Sequence, residues 1–176
     1  SELLDSSVMP GIQGGPLMHV IAAKAVAFNE VSQPQFVEYC KKIVSNAKVL
    51  ADEFINLGYD IVTGGTDTHI VLIDLTSKSI SGKKAEKRLE ECYITTNKNM
   101  VPYDQRSPLI TSGIRIGTPA LTTRGMGSSE MKLIASLIHN ILSDISNESN
   151  VQKTRDSVLE LCNEFPLYKE MYHEVS

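Results

Sequence analysis

Apolar residues recur three and four positions apart at Phe36, Val37, Cys40, Ile43, Val44, Ala47, Leu50, Ala51, Phe54 and Leu57. That spacing puts them on one face of a long helix, and Gly58 stands where a left-handed residue ends such a helix. The stretch before it, LMHVIAAKAVAF at 17–28, is apolar nearly all the way round, which predicts a buried helix rather than a surface one. Pro16 precedes it, where a first-turn proline is tolerated because its missing N–H would have had no partner. Gln33-Pro34 separates the two runs. Two helices in series, or one kinked at Pro34, can connect two domains.

Beyond Gly58 the period changes. YDIVTGG (59–65) and HIVLIDL (69–75) read as strands around a Gly-rich turn. ITTN (94–97) is a short strand candidate, and SGIRIGTPAL (112–121) holds a further strand ending at a turn. Helical spacing returns in GKKAEKRLEECY (82–93), which Ser81 can cap. It returns again after Ser128, read as the cap of a helix whose Leu133, Ile134, Leu137, Ile138, Ile141, Leu142 and Ile145 form one apolar face. A last helix covers 151–164 and stops before Pro166. Helices flanking a small sheet predict an α/β sandwich.

At 176 residues, 41% of them hydrophobic, the chain can bury a core. No apolar run approaches the roughly 18 residues of a membrane span, and the start has no signal-peptide pattern. A formal net charge of −4 argues against nucleic acid, whose phosphates need clustered Lys and Arg. Cys40, Cys92 and Cys162 are odd in number, far apart and without C-x-x-C spacing. They read as buried structural thiols in a reducing compartment such as the cytoplasm. Residues 1–9 lack the logic of a domain start and read as the middle of something longer.

Chemistry concentrates in three places. In GIQGGP, Gly14 and Gly15 sit at the mouth of a helix. They serve either a tight, closely packed turn or an anion site built from free backbone N–H groups, which glycine lets an anion approach. In TSGIRIGTP, Arg115 alternates with Ile114 and Ile116 and so faces away from them. Its guanidinium can hold a carboxylate through two parallel hydrogen bonds, or sit exposed in a salt bridge. The polar loop TTNKNMVPYDQRSPL offers Asn97, Asn99 and Ser107, which can hydrogen-bond a heterocycle or cap turns. His19 falls in the predicted buried helix as a core histidine. His69 starts a strand, His139 lies off the apolar stripe and His173 lies in the tail. None has metal-ligand spacing with another candidate ligand, and no metal site is expected. Nor is SISGKK around Lys83 a phosphate-binding P-loop, for it lacks the first glycine.

Taken together, PGIQGGPLMHVIAAKAVAF, GGTDTHIVLIDL, TTNKNMVPYD and SPLITSGIRIGTPALTTRGM resemble serine hydroxymethyltransferases in order and spacing, over nearly the whole chain. HVIAAKAVAF resembles the bacterial branch. The resemblance implies a pyridoxal-phosphate enzyme of fold type I, the aspartate-aminotransferase-like class. Residues 1–29 would be the tail of its large cofactor domain, with the glycine loop and the start of a linking helix. Residues 30–176 would be the small C-terminal α/β sandwich domain.

The implied reaction interconverts serine plus tetrahydrofolate with glycine plus 5,10-methylenetetrahydrofolate, in a cytoplasmic homodimer or higher homo-oligomer whose active site lies between subunits. Carried over by position, Gly14 and Gly15 match glycines that reach the cofactor phosphate of the partner subunit. Arg115 matches the arginine that binds the substrate carboxylate. Asn99, Ser107, Pro108 and Leu109 match folate-contacting positions, although family members often carry an aromatic where this chain has Leu109. The family's Schiff-base lysine lies in a Thr-Thr-rich segment upstream of the glycine loop, and these residues hold no such segment; Lys24 lies inside the predicted helix and does not match. A C-terminal fragment, inactive alone and without a catalytic residue of its own, is therefore expected. The alternative is a stand-alone amino-acid- or folate-binding, or dimerisation, module derived from this domain.

Overall fold

A Schellman turn makes the change of period at Gly58. The Tyr59 N–H reaches back to the Phe54 carbonyl at 3.0 Å and the Gly58 N–H to Ile55 at 2.9 Å, with Gly58 at φ +77°. The computed structural model describes residues 1–169, so His173 lies outside the described residues. In chain order the helices are α1 (Glu2–Ser6), α2 (Met18–Val31), α3 (Pro34–Asn56), α4 (Gly82–Glu90), α5 (Pro119–Thr123), α6 (Ser128–Ser143) and α7 (Glu148–Glu164). The strands are β1 (Asp60–Ile61), β2 (Ile70–Asp74), β3 (Asn97–Asn99) and β4 (Gly113–Gly117). They divide into two compact units, Ser1–Tyr39 and the residues from Cys40 on.

The first unit departs from expectation. Its helix α2 begins at Met18 with Leu17 as N-cap, so Pro16 precedes the helix instead of occupying its first turn. Every residue of α2 is exposed, His19 included, where a buried helix and a core histidine were expected. The reason is architectural: besides α2 the unit holds only α1, a π-helical segment at Ser7–Ile12 and the first turn of α3, and they form no second layer over its apolar surface.

In the second unit, a four-stranded antiparallel sheet runs in the order β1-β2-β4-β3. Alternation along each strand sends Val71 and Ile73 of β2, and Ile114 and Ile116 of β4, to one face. There they join one core with Leu50 and Phe54 of α3, Ala85 and Leu89 of α4, Ile138 and Ile141 of α6, and Val151 and Leu161 of α7. The helices thus form one layer over one face of the sheet, as the expected α/β sandwich requires. Four-stranded sheets with one packed face and one solvated face are a common antiparallel arrangement.

Several local expectations shift by a residue or more. Of ITTN only Asn97 pairs, at the start of the edge strand Asn97–Asn99, because Tyr93 at φ +62° turns the chain and Ile94 tucks toward the core. Only Asp60–Ile61 of YDIVTGG pairs, since Thr63 and Gly64 take positive φ and coil the rest. Helix α6 is capped at Gly127, whose N–H donates to the Glu130 carboxylate at 2.6 Å, and Ser128 is its first residue. Its buried face includes Met131 and Ala135 and leaves out Leu133. The short α5 lies where only a turn was expected.

Cys92 is fully buried, its Sγ 3.7 Å from the Val151 carbonyl, and burial pushes the thiol's pKa up. Cys40 and Cys162 are half-buried, and all three cysteines are free. Buried Tyr59 stacks edge-on against Phe54 and meets His139 Nδ1 through its hydroxyl at 3.1 Å; burial pushes this phenol up to about 12.

Candidate functional site

Arg115 sits at the centre of β4 between Leu72 of β2 and Asn97 of β3. Its neighbours Ile114 and Ile116 are buried while Arg115 is exposed, so it rises from the open face of the sheet, as its alternation requires. Asn99 pairs with Gly113, two residues back along β4 and on the same face. The guanidinium makes no hydrogen bond or ion pair with any described residue. Its fork is free, and the exposed salt bridge that the sequence also allowed is not made among the described residues.

The strand carrying this arginine is fixed at both ends. At its far end Thr118, fully buried, donates through Oγ1 to the Ile43 carbonyl at 2.9 Å. Thr122 Oγ1 donates to the Thr118 carbonyl, and the buried Asn46 amide donates to Thr122 Oγ1 and to the Met126 carbonyl. At its near end Gly113 lies against α4, whose first residue is Gly82. A Cβ on Gly82 would collide with Thr111 Oγ1 and the Gly113 carbonyl, so only glycine lets the helix approach this closely.

The loop between β3 and β4 is held by a knot that the sequence did not disclose. Asp104 accepts from the N–H groups of Val101 at 3.3 Å, Arg106 at 2.9 Å and Ser112 at 2.8 Å, and from the Ser112 hydroxyl at 2.6 Å. Partial burial works to raise its pKa, but the Ser112 hydroxyl and the three N–H donors outweigh that and hold the carboxyl at about 2. Arg106 ties the same knot to the body by donating to the Ile80 carbonyl at 2.9 Å. An Asp in a polar loop signals at most the Asx-turn bond to the N–H two residues on, here that of Arg106, and not the donors at Val101 and Ser112.

On this anchored loop Ser107, Pro108 and Leu109 are exposed. The Ser107 carbonyl accepts from Ile110 and Thr111, both at 2.9 Å, forming a turn that leaves the Leu109 side chain outward. The Asn99 side chain donates to its neighbour's carbonyl, that of Met100, at 2.7 Å, so part of its hydrogen-bonding capacity goes to local structure. Asn97, Asn99 and Arg115 therefore share a face, with Ser107, Pro108 and Leu109 on the adjoining loop.

Gly14 and Gly15 belong to the first unit. Neither has positive φ, and a Cβ on either would meet nothing within 4 Å. Both are exposed, and the helix after them starts without any side-chain cap on its N–H groups. Of the two sequence readings, close packing is not what asks for glycine here. Open, uncapped N–H groups at a helix start suit an oxyanion. Among the described residues no group of three His, Cys, Asp or Glu side chains is arranged to hold a metal ion, and no helix is long and apolar enough to cross a membrane.

A family model described as serine hydroxymethyltransferase matches residues 1–138, which span the glycine loop, the sheet and most of α6.

Proposed function

We infer the function from the premise that this chain belongs to the serine hydroxymethyltransferase family. Such proteins are pyridoxal-phosphate-dependent transferases of one-carbon metabolism, and this chain carries a function of that type. We propose the specific reaction to be the interconversion of serine and tetrahydrofolate with glycine and 5,10-methylenetetrahydrofolate. In this reading residues 30–176 are the small domain of a fold-type I enzyme, and residues 1–29 belong to the end of its large domain.

The observation that carries the proposal is the unpaired Arg115 fork on an open, rigidly held strand. A carboxylate docked there receives two parallel N–H···O bonds, which fix its plane as well as its position. That orientation sets which bond at the α-carbon is aligned to break, and positioning of this kind contributes several kcal/mol to a barrier. Asn99 and the exposed Ser107, Pro108 and Leu109 would meet the folate, with Leu109 supplying apolar contact.

The residues present also fit the cofactor's phosphate. Gly14 and Gly15 would hold it through backbone N–H groups, without a Cβ in the way, on behalf of a partner subunit in a homodimer or larger assembly. When bound, pyridoxal phosphate supplies an electron sink for the charge that develops at the substrate α-carbon. No lysine here stands in the family's attachment motif, so these residues alone should turn nothing over. Production of methylenetetrahydrofolate from serine, folate and cofactor by this stretch of chain alone would contradict that.

Arg115 provides the decisive test in the full-length enzyme. Arg115→Ala should cut kcat/KM for serine by about 100-fold or more, the scale of losing charge-assisted hydrogen bonds. Arg115→Lys should not rescue it, because an ammonium is a point charge without the fork. Near-normal serine kinetics in Arg115→Lys would remove the assignment.

A further inference from the structure

Behind β4, on the face opposite Arg115, the core is incompletely closed. Val71, Ile73 and Leu89 are fully buried, but Ile116, Met126, Leu137, Val158 and Leu161 keep 4–9% of their surface exposed. These five line a cavity of about 210 Å³ between β4, α6 and α7. That is below the roughly 300–1,000 Å³ of sites for drug-sized ligands, yet several times the space of one water. Its walls are overwhelmingly apolar, which makes it a poor water site and a suitable one for a small hydrocarbon group.

The cavity also has one charge. Arg124 lines it, and no Asp or Glu does. Through Nη1 the guanidinium donates to the Phe165 carbonyl at 2.8 Å, a neutral acceptor that fixes the side chain without neutralising it. Among the described residues Arg124 has no carboxylate partner. An apolar chamber with one fixed guanidinium that no carboxylate among the described residues neutralises is complementary to a molecule with a small apolar body and one anionic end.

We propose that this cavity binds a small monocarboxylic acid, a short aliphatic or single-ring aromatic one, with its hydrocarbon between β4 and the helices and its carboxylate on Arg124. The site is separate from the Arg115 face and does not depend on the serine reading. Its occupant is recognised by charge at one end and shape at the other, so an uncharged molecule of the same shape binds more weakly.

Cys162 lines the same cavity and is half-buried, whereas Cys40, equally half-buried, lies on α3 and lines no part of it. Alkylation of the full-length protein by N-ethylmaleimide, read peptide by peptide by mass spectrometry, therefore reports occupancy with an internal control. Phenylacetate is expected to slow modification of Cys162 by about tenfold once present at ten times its Kd, and to leave Cys40 unchanged. Phenylacetamide, which keeps the shape and loses the charge, should protect far less. Arg124→Gln should lose the protection, and Arg124→Lys, which restores the charge, should recover part of it. Because Arg124 also holds Phe165, the acid-against-amide comparison on the unaltered protein decides the matter if the variants are poorly folded. An unchanged Cys162 rate with phenylacetate, or equal protection by the amide, would overturn the proposal.

Discussion

Gly82 and the Gly14-Gly15 pair show two different reasons for a glycine. At Gly82 the chain's own packing demands it: helix α4 meets Thr111 and the Gly113 carbonyl where a Cβ would need to be. At Gly14 and Gly15 neither φ nor a neighbouring atom makes any demand. The helices that follow differ in the same way, since α2 is apolar and wholly exposed while α6 buries seven residues. The second unit is explained by its own contacts. The first carries residue choices that its own contacts leave without a purpose, which the phosphate site proposed for Gly14 and Gly15 would supply.

The contrast is most sharply tested at Gly82. Gly82→Ala forces apart α4 and the near end of β4, and overpacking of this kind costs about 1–3 kcal/mol. Urea denaturation of the full-length protein should show the midpoint falling by a corresponding amount. Since Gly113 belongs to the Arg115 strand, the KM for serine should rise as well. Wild-type stability in Gly82→Ala would mean that the close approach is not a real constraint.

Periodicity could report what depends on one chain's own surface. It placed α3, β2, β4, α6 and α7, because each turns an apolar face to one shared core, and it placed Arg115 on the opposite face of its strand. It misjudged α2 because apolar residues all round give a helix no preferred face, and the first unit holds no layer to pack against it. Which face of β2 the helices cover was illegible for a related reason: Ile70 and Leu72 keep β2 apolar on both faces, although only Val71 and Ile73 reach the core. At the site, Arg115 and the polar loop could be found by residue type. The Asp104 knot could not, because its donors come from residues 101, 106 and 112, brought together only by the folded loop.

Asp104 provides a smaller effect with a distinct signature. Its folded pKa, held at about 2, lies below the value of about 3.9 for an unfolded Asp. The stabilisation is therefore complete above about pH 4 and drains away as pH falls toward 2, because the unfolded chain takes up the proton first. Asp104→Asn should cost about 1 kcal/mol at neutral pH, on the scale of a net hydrogen bond. It should also flatten the decline in stability between pH 4 and pH 2. Folate affinity should suffer more than serine affinity, because the knot holds the Ser107, Pro108 and Leu109 loop. Parallel acid profiles for the two proteins would show that the carboxylate is not held as described.

The smallest change in stability is expected at Gly14 and Gly15. An alanine there meets open space and an ordinary φ, so each variant should match the parent within about 0.5 kcal/mol in denaturation of the cofactor-free protein. A methyl group nevertheless occupies the approach that a phosphate would use to reach the backbone N–H groups. The full-length Gly14→Ala, Gly15→Ala double variant should then bind pyridoxal phosphate at least about tenfold more weakly, a differential of roughly 1.4 kcal/mol, as followed by the absorbance of the bound cofactor. A fold left intact with cofactor affinity lost is the outcome that an anion site predicts and a packing turn does not. Should the double variant instead lose stability as Gly82→Ala does, the two glycine positions would be doing the same job, and the distinction between the units would fail at its most specific point.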